Sequence, residues 1–324
     1  MFILKKPAPE GAPTHRTVIR TGAQQYGILI VLVAILIVLL ALRPEVLSLE
    51  NIYNVIRRFT VLGILAVGMT FVIASGGIDL SVGSILAFTG VLVSIMMNRF
   101  HLPALFSTIA ALSAAFALGA ANGFLSSQLK YRSFIVTLGS MYIIRGVTLM
   151  LTDGVAVWPL PDAFVRINDL AIGTIPLVTF LLVLVYFAAH FILTKTYFGR
   201  QVFAIGENHV LARISGVHVD LVVVVTLGIS GLLAGFAGVI TAASLISGQP
   251  MVGQRYELEA IAACVVGGAS LSGGRGSMWS TLAGVLVLSV LRNAFGFLGV
   301  SSYLQMMAIG TIVIGSLAID NLRK

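Results

Sequence analysis

Charge is scarce in this chain. Of 324 residues, 12 are Asp or Glu and 20 are Lys or Arg, 10% together, where a soluble domain carries about 25%. An ordinary soluble fold is excluded, and so is a disordered chain, which needs more charge and fewer apolar residues. The net charge of +8 does not point to nucleic acid. The basic residues are spread thinly among apolar runs and form no basic face. Cysteine is nearly absent. Cys264 stands alone in an apolar stretch, which excludes a disulfide framework and a thiolate metal site. The five histidines keep no metal-ligand spacing, so neither a metal nor another cofactor is expected. No GxxxxGK[ST] occurs, so the chain has no P-loop for ATP. No His/Asp/Ser constellation lies at the edge of an apolar run. The expectation is a membrane subunit without catalysis of its own.

Apolar residues (58%) and 34 glycines are what the sequence has in excess. A bilayer core takes about 20 apolar residues per helix. The runs at 26–42, 59–74, 81–97, 105–127, 134–151, 176–193, 219–246, 258–271, 278–298 and 302–319 predict an all-α polytopic membrane protein of about ten transmembrane helices, some short or Gly-interrupted. The run 258–271 is too short to cross alone. Residues 48–58 read as a separate amphipathic helix on the membrane surface, with Ser48 as its N-cap. The domain plan is a tail, 1–25, one membrane domain, 26–319, and a C-terminus, 320–324. The tail is long and polar with three prolines, and 26–42 ends in Arg43-Pro44. This reads as an uncleaved first span rather than a signal peptide.

The charges set the orientation. With the N-terminus inside, Lys5, Lys6, Arg16, Arg20, Lys130, Arg132, Lys195, Arg200, Arg213, Arg275, Arg323 and Lys324 lie inside. Arg43, Arg57, Arg58, Arg99, Arg166 and Arg255 lie outside, and Arg145 and Arg292 within spans. The positive-inside bias therefore places both termini in the cytoplasm.

Two apolar runs are joined by Gly-rich breaks. One carries Ser75, Gly76, Gly77 and Asp79, and the other Gly273, Gly274 and Arg275, each followed by a Gly-Val-Leu-Val at Gly90 and Gly284. Interrupted segments in corresponding places mark transporter binding regions. Six crossings between them make the repeat parallel, and five make it inverted. A chance likeness of two turns is the other reading. Asp79 is either a functional carboxylate at membrane depth or an N-cap for the helix near Ser81. It stands where Arg275 stands in the second copy, so the two are candidates to pair.

Residues 194–218 form the longest inside loop. Val210, Leu211, Ile214 and Val217 recur at helical spacing, with Glu207-Asn208 as a start and Ser215-Gly216 as a stop. That is an amphipathic helix lying on lipid or docked in a partner's groove. Polar groups within spans are few: Asn122, Thr137, Ser140, Tyr142 and Arg145. Arg145 faces either a cavity or a structural partner. Asn122 makes either an interhelical bond or a substrate contact. Gly231, Gly235 and Gly238 read as close helix packing.

Four stretches, AVGMTFVIASGGIDLSVGSILA (66–87), TLGSMYIIRG (137–146), GRQVFAIGENHVLARISGV (199–217) and ELEAIAACVVGGASLSGGRGS (257–277), resemble the ribose-type monosaccharide ABC permeases. More distantly they resemble the branched-chain amino-acid permeases. The likeness implies an inner-membrane sugar importer working by alternating access. Its partners would be a second permease subunit (identical or paralogous), a cytoplasmic ATPase with two nucleotide-binding domains, and a periplasmic sugar-binding protein. It also implies that the loop couples to the ATPase through Gly199, Arg200, Ala204, Gly206, Glu207, Asn208, Ala212, Arg213, Ser215 and Gly216. Arg213 stands where the family more often has a second Ala. Rival readings are an amino-acid permease, which needs charge partners along its path, and an ion-coupled carrier, which needs a carboxylate relay within the spans.

Overall fold

The computed structural model describes residues 48–129, 133–172 and 175–321, together with Val33 and Ile37. The tail 1–25, nearly all of the span 26–42, Lys130, Arg132 and residues 322–324 lie outside the described residues. The described chain is helical: α1 (Leu49–Ala74), α2 (Val82–Asn98), α3 (Ala104–Leu129), α4 (Ser133–Thr152), α5 (Asp162–Asp169), α6 (Leu177–Lys195), α7 (Tyr197–Glu207), α8 (His209–Ile214), α9 (Val219–Leu245), α10 (Tyr256–Val266), α11 (Met278–Phe297) and α12 (Ser302–Asn321). A two-residue antiparallel ladder, β1 (Ala171–Ile172) with β2 (Ile175–Pro176), precedes α6. Among the described residues, six helices are long and apolar enough to cross a membrane: most of α1, and α3, α4, α6, α9 and α11. The apolar α2 is shorter.

Residues 48–58 are not a separate surface helix. Ser48 does cap, its Oγ accepting from Asn51 N at 3.3 Å, but the helix continues through Arg58 to Ala74. An amide pair fixes its start against α11, with Asn293 Nδ2 donating to Asn51 Oδ1 at 2.7 Å. Further along, α1 is apolar on every side, and Ile64, Leu65, Met69, Phe71 and Ile73 are at most 1% exposed. A helix apolar all round belongs at the centre of its protein, and α1 packs on α6, α9, α10 and α11. The lone thiol is sealed here, where Thr70 Oγ1 lies 3.4 Å from Cys264 Sγ and 2.9 Å from Thr281 Oγ1.

The other central helix is α9, which packs on α1, α2 and α3. Its glycines permit this. A Cβ at Gly231 would strike the Ala115 carbonyl, and one at Gly238 the Leu86 carbonyl, so backbones approach as only small residues allow.

The two halves repeat. In each, a long helix (α1, α9) is followed by a non-helical break (75–81, 246–255), a short helix (α2, α10) and two longer ones (α3 and α4, α11 and α12). The packing repeats as well, α9 lying on α2 and α3 while α1 lies on α10 and α11. Directions are opposite. α1 ends beside the 195–218 loop, whereas α9 begins there and ends where Gly248 pairs with Val157 at the far end. The repeat is therefore inverted, and it pairs different segments from the Gly-rich echo in the sequence. That echo marks two breaks at the same end of the molecule.

Candidate functional site

Both sequence-predicted breaks meet the long loop. Gly274 N donates to Ala74 O at 3.0 Å. A Cβ on Gly206, at the end of α7, would strike the Ala74 carbonyl and Gly274 N, and one on Gly273 would meet Gly206 O and Gly76 Cα. Gly76, Gly273 and Gly274 have φ of 81°, 88° and 72°, a left-handed backbone that suits glycine. The junction is thus largely backbone against backbone, with the Glu207 side chain lying against Gly274.

The loop holds two helices, of which the sequence announced one. α7 begins at Thr196, whose Oγ1 accepts from Gly199 N at 3.2 Å. Gly199 sits against the Ile192 and Leu193 carbonyls, and Arg200 stacks over Tyr197 at 5.7 Å. The cap and the spacing of Phe198, Val202 and Ile205 were the available signals. α8 follows at once. Ala204 O accepts from Asn208 N at 3.1 Å, and Asn208 Oδ1 accepts from Val210 N and Leu211 N at 2.9 and 3.0 Å. Ser215 and left-handed Gly216 end it. Ala212 is buried, while Val210, Leu211 and Ile214 are 70%, 57% and 75% exposed. Val217 turns inward onto the core. Arg213 Nη2 pairs with Asp220 Oδ1 at 2.8 Å. Burial and the Arg213 charge hold the His209 imidazole below its ordinary value, with Asp220 pulling the other way. A cavity of about 660 Å³ lies between the junction and α8, lined by Ser75, Gly76, Gly77, Ser133, His209 and Arg213 among others.

The break 77–81 runs inward from the junction and is held by side chains of α4. Ser133 Oγ accepts from Ile78 N at 3.0 Å. Thr137 Oγ1 accepts from Leu80 N and donates to Ile78 O, both at 3.1 Å. Asp79 is fully buried. Its Oδ1 accepts from Ser81 N (2.9 Å) and Ser81 Oγ (2.6 Å), and its Oδ2 from Ser230 Oγ (2.8 Å). Asn122 Nδ2 donates to Ser81 Oγ at 3.0 Å. The carboxylate thereby ties the start of α2 to α9, and the Ser81 hydroxyl ties it to α3. Asp79 forms no pair with Arg275. Ser133 and Ser230 were missed, because serines in apolar helices carry no local sign of what they face.

Arg145 secures the other break. Its Nη1 donates to Pro250 O (2.6 Å) and Val252 O (2.8 Å), and its Nη2 to Gly83 O (3.1 Å). The guanidinium therefore joins α4, the start of α2 and the segment leading to α10. Glu257 lies against Gly83, and Glu259 pairs with Arg292 at 2.6 Å. Asp79 thus lies in the break before α2, and Glu257 and Glu259 in the first turn of α10, each with partners. Ser140 is half-buried, Tyr142 is exposed, and a Cβ on Gly139 or Gly146 would meet nothing within 4 Å.

Comparison with known proteins gives the family. The family described as "Branched-chain amino acid transport system / permease component" matches residues 51–317. The ribose import permease protein of Escherichia coli (strain K12) is 38% identical over 303 residues, covering 91% of this chain and 93% of its own. The ribose import permease protein of Bacillus subtilis (strain 168) is 40% identical over 299 residues, 92% of each. The L-arabinose transport system permease protein of Escherichia coli (strain K12) is 34% identical over 301 residues, 93% of this chain and 91% of its own. No solved structure matches the chain. With its buried helices, paired breaks and composite loop, the chain belongs to this family of transport-system permease components and is a multi-pass membrane transport subunit.

Proposed function

We propose that the chain is the permease subunit of an ABC importer that carries a monosaccharide, pentose or hexose, across the bacterial inner membrane. Ribose and arabinose, the sugars for which the relatives are named, are the first candidates. A separate cytoplasmic ATPase with two nucleotide-binding domains drives the transport, a periplasmic sugar-binding protein delivers the sugar, and a second permease subunit completes the path. The observation that carries the reading is the junction of Gly206 with Ala74 and Gly274. Force applied to the 194–218 loop reaches both breaks through backbone contact. The exposed Val210, Leu211 and Ile214 form a face for an apolar groove on the ATPase. Asn122, Thr137 and Arg145 are positioning residues that hold the breaks in shape, and Ser140 and Tyr142 face the path. The path runs along the open side of α4 and α12, where the glycines of α4 lack neighbours and a second subunit closes the opening. An ion-coupled carrier needs a free carboxylate in the spans, and the buried acids here are bonded.

The test is co-purification with the neighbouring ATPase. Wild type captures it, the double variant Val210→Asp/Ile214→Asp does not, and both proteins elute as folded protein. Loss of capture by wild type in mild detergent, with uptake that collapses when an ion gradient is removed, would replace this reading with a secondary carrier.

A further inference from the structure

Residues 249–255 are non-helical backbone at membrane depth. The segment enters from the Gly248–Val157 pair at the far end and reaches Gly83, at the start of α2. Arg145, which holds its carbonyls, stands seven residues before the end of α4, about 10 Å inside at 1.5 Å per residue. Gln254 and Arg255 in this segment are exposed. Arg255 has a left-handed backbone, φ 70°, and its Nη1 reaches Met306 Sδ of α12 at 3.1 Å. Tyr142, one turn before Arg145 on the same face of α4, is 69% exposed. Hydrocarbon does not tolerate an exposed guanidinium beside irregular backbone. Such a segment lines water or faces protein.

The chemistry of this opening is selective. Arg145 is occupied by three carbonyls. The Glu257 carboxylate accepts backbone N–H groups of Arg255 and Glu257, and Glu259 is held by Arg292. What faces outward is a phenol, a carboxamide and one guanidinium, with Leu258 and Met306 as apolar surface. Hydroxyl-rich rings with an apolar face suit this set. A zwitterion does not, since no free carboxylate is left for its ammonium group.

We infer that Tyr142, Gln254 and Arg255 form the sugar-contacting and sugar-selecting surface of the path. The inference rests on the importer reading above. Two measurements test it on the reconstituted complex with its ATPase and binding protein. In proteoliposomes with labelled aldopentoses and aldohexoses, Tyr142→Phe and Gln254→Leu are expected to lower Vmax/KM by about 3- to 10-fold, and Arg255→Met by about 10- to 100-fold. The ranking of sugars should change, while Leu184→Ala, on the exposed side of α6, transports as wild type. Separately, Gln254→Cys is expected to react with a charged thiol reagent from the water phase and to be shielded by transported sugar. Cys264 is fully buried, so background is low. If wild type transports while Gln254→Cys stays inert, or the three variants keep wild-type rates and ranking, this surface is not the sugar contact and the importer reading stands. If wild type with ATP moves no sugar, both fall.

Discussion

Gly206→Ala is the sharpest perturbation of the junction. The added methyl would strike the Ala74 carbonyl and Gly274 N. Both are backbone atoms, so no rotamer relieves the clash, and α7 must separate from the end of α1 and the 267–277 loop. Overpacking of this kind costs about 1–3 kcal/mol, and rupture of the Gly274 N–Ala74 O bond about 1 kcal/mol more. A total of about 2–4 kcal/mol lowers the melting temperature by about 4–8 °C, at roughly 2 °C per kcal/mol for a chain of this size. The assay is a thermal melt by size-exclusion fluorescence in detergent, read beside sugar-stimulated ATPase activity of the assembled complex. Gly296→Ala is the control. It lies in α11 with nothing within 4 Å of the new Cβ, and it should gain helix propensity. We expect Gly206→Ala to melt early and to hydrolyse ATP without sugar stimulation, and Gly296→Ala to do neither. If Gly206→Ala melts within 1 °C of wild type and stays coupled, force does not pass through this contact and the argument fails.

Three other outcomes are expected. Arg145→Ala removes the donor that three carbonyls share, a local loss of about 2–4 kcal/mol, and Arg145→Lys recovers little because one ammonium does not reproduce the planar fork. Amide exchange over residues 250–256 should accelerate by tenfold or more in both, and unchanged protection would refute the clamp. Asn208→Ala removes the α8 cap at a cost of about 1–2 kcal/mol and should weaken ATPase capture while uptake-independent melting of the membrane helices stays put. For His209, the folded value is below the ordinary 6.5, so the unfolded chain binds more protons. This contribution to stability is complete above about pH 6.5 and is lost as pH falls through the lowered folded value. His209→Gln should abolish that part of the acid sensitivity of α8, whose other nearby charges are Arg213 and Asp220. Melts at pH 7.5 and 5.5 decide it.

The spans were legible because apolar runs of bilayer length have few other meanings, and α3, α4, α6 and α9 begin and end within two residues of the runs. The Asn208-capped helix was legible from its cap and stop. The continuity of α1 was not. Its polar first turns look like a surface helix until Asn293 is seen opposite Asn51. The inverted repeat was hidden as well. α2 has 17 residues and α10 has 11, so the copies do not align, whereas the conspicuous glycine echo arises because two unrelated turns abut the same backbone at Gly206. Asp79 was visible as a candidate, but its partners were not. Ser230 lies 151 residues away, and no local pattern links them. Arg255 was assigned to an outer loop because a charge there is the ordinary case. Only the dip of 249–255 brings it inside.

The sealing of Cys264 between α1, α10 and α11 has a practical side. The native chain is already close to a cysteine-free background. A single cysteine introduced on the exposed face of α8 or at the open side of α4 will carry a spectroscopic label alone. Paired labels at those two places give a direct distance ruler along the molecule, one end on the exposed apolar face of α8 and the other on the open side of α4. The strokes of a transport cycle are then measurable without first rebuilding the Thr70–Cys264–Thr281 contact on which the core packing depends.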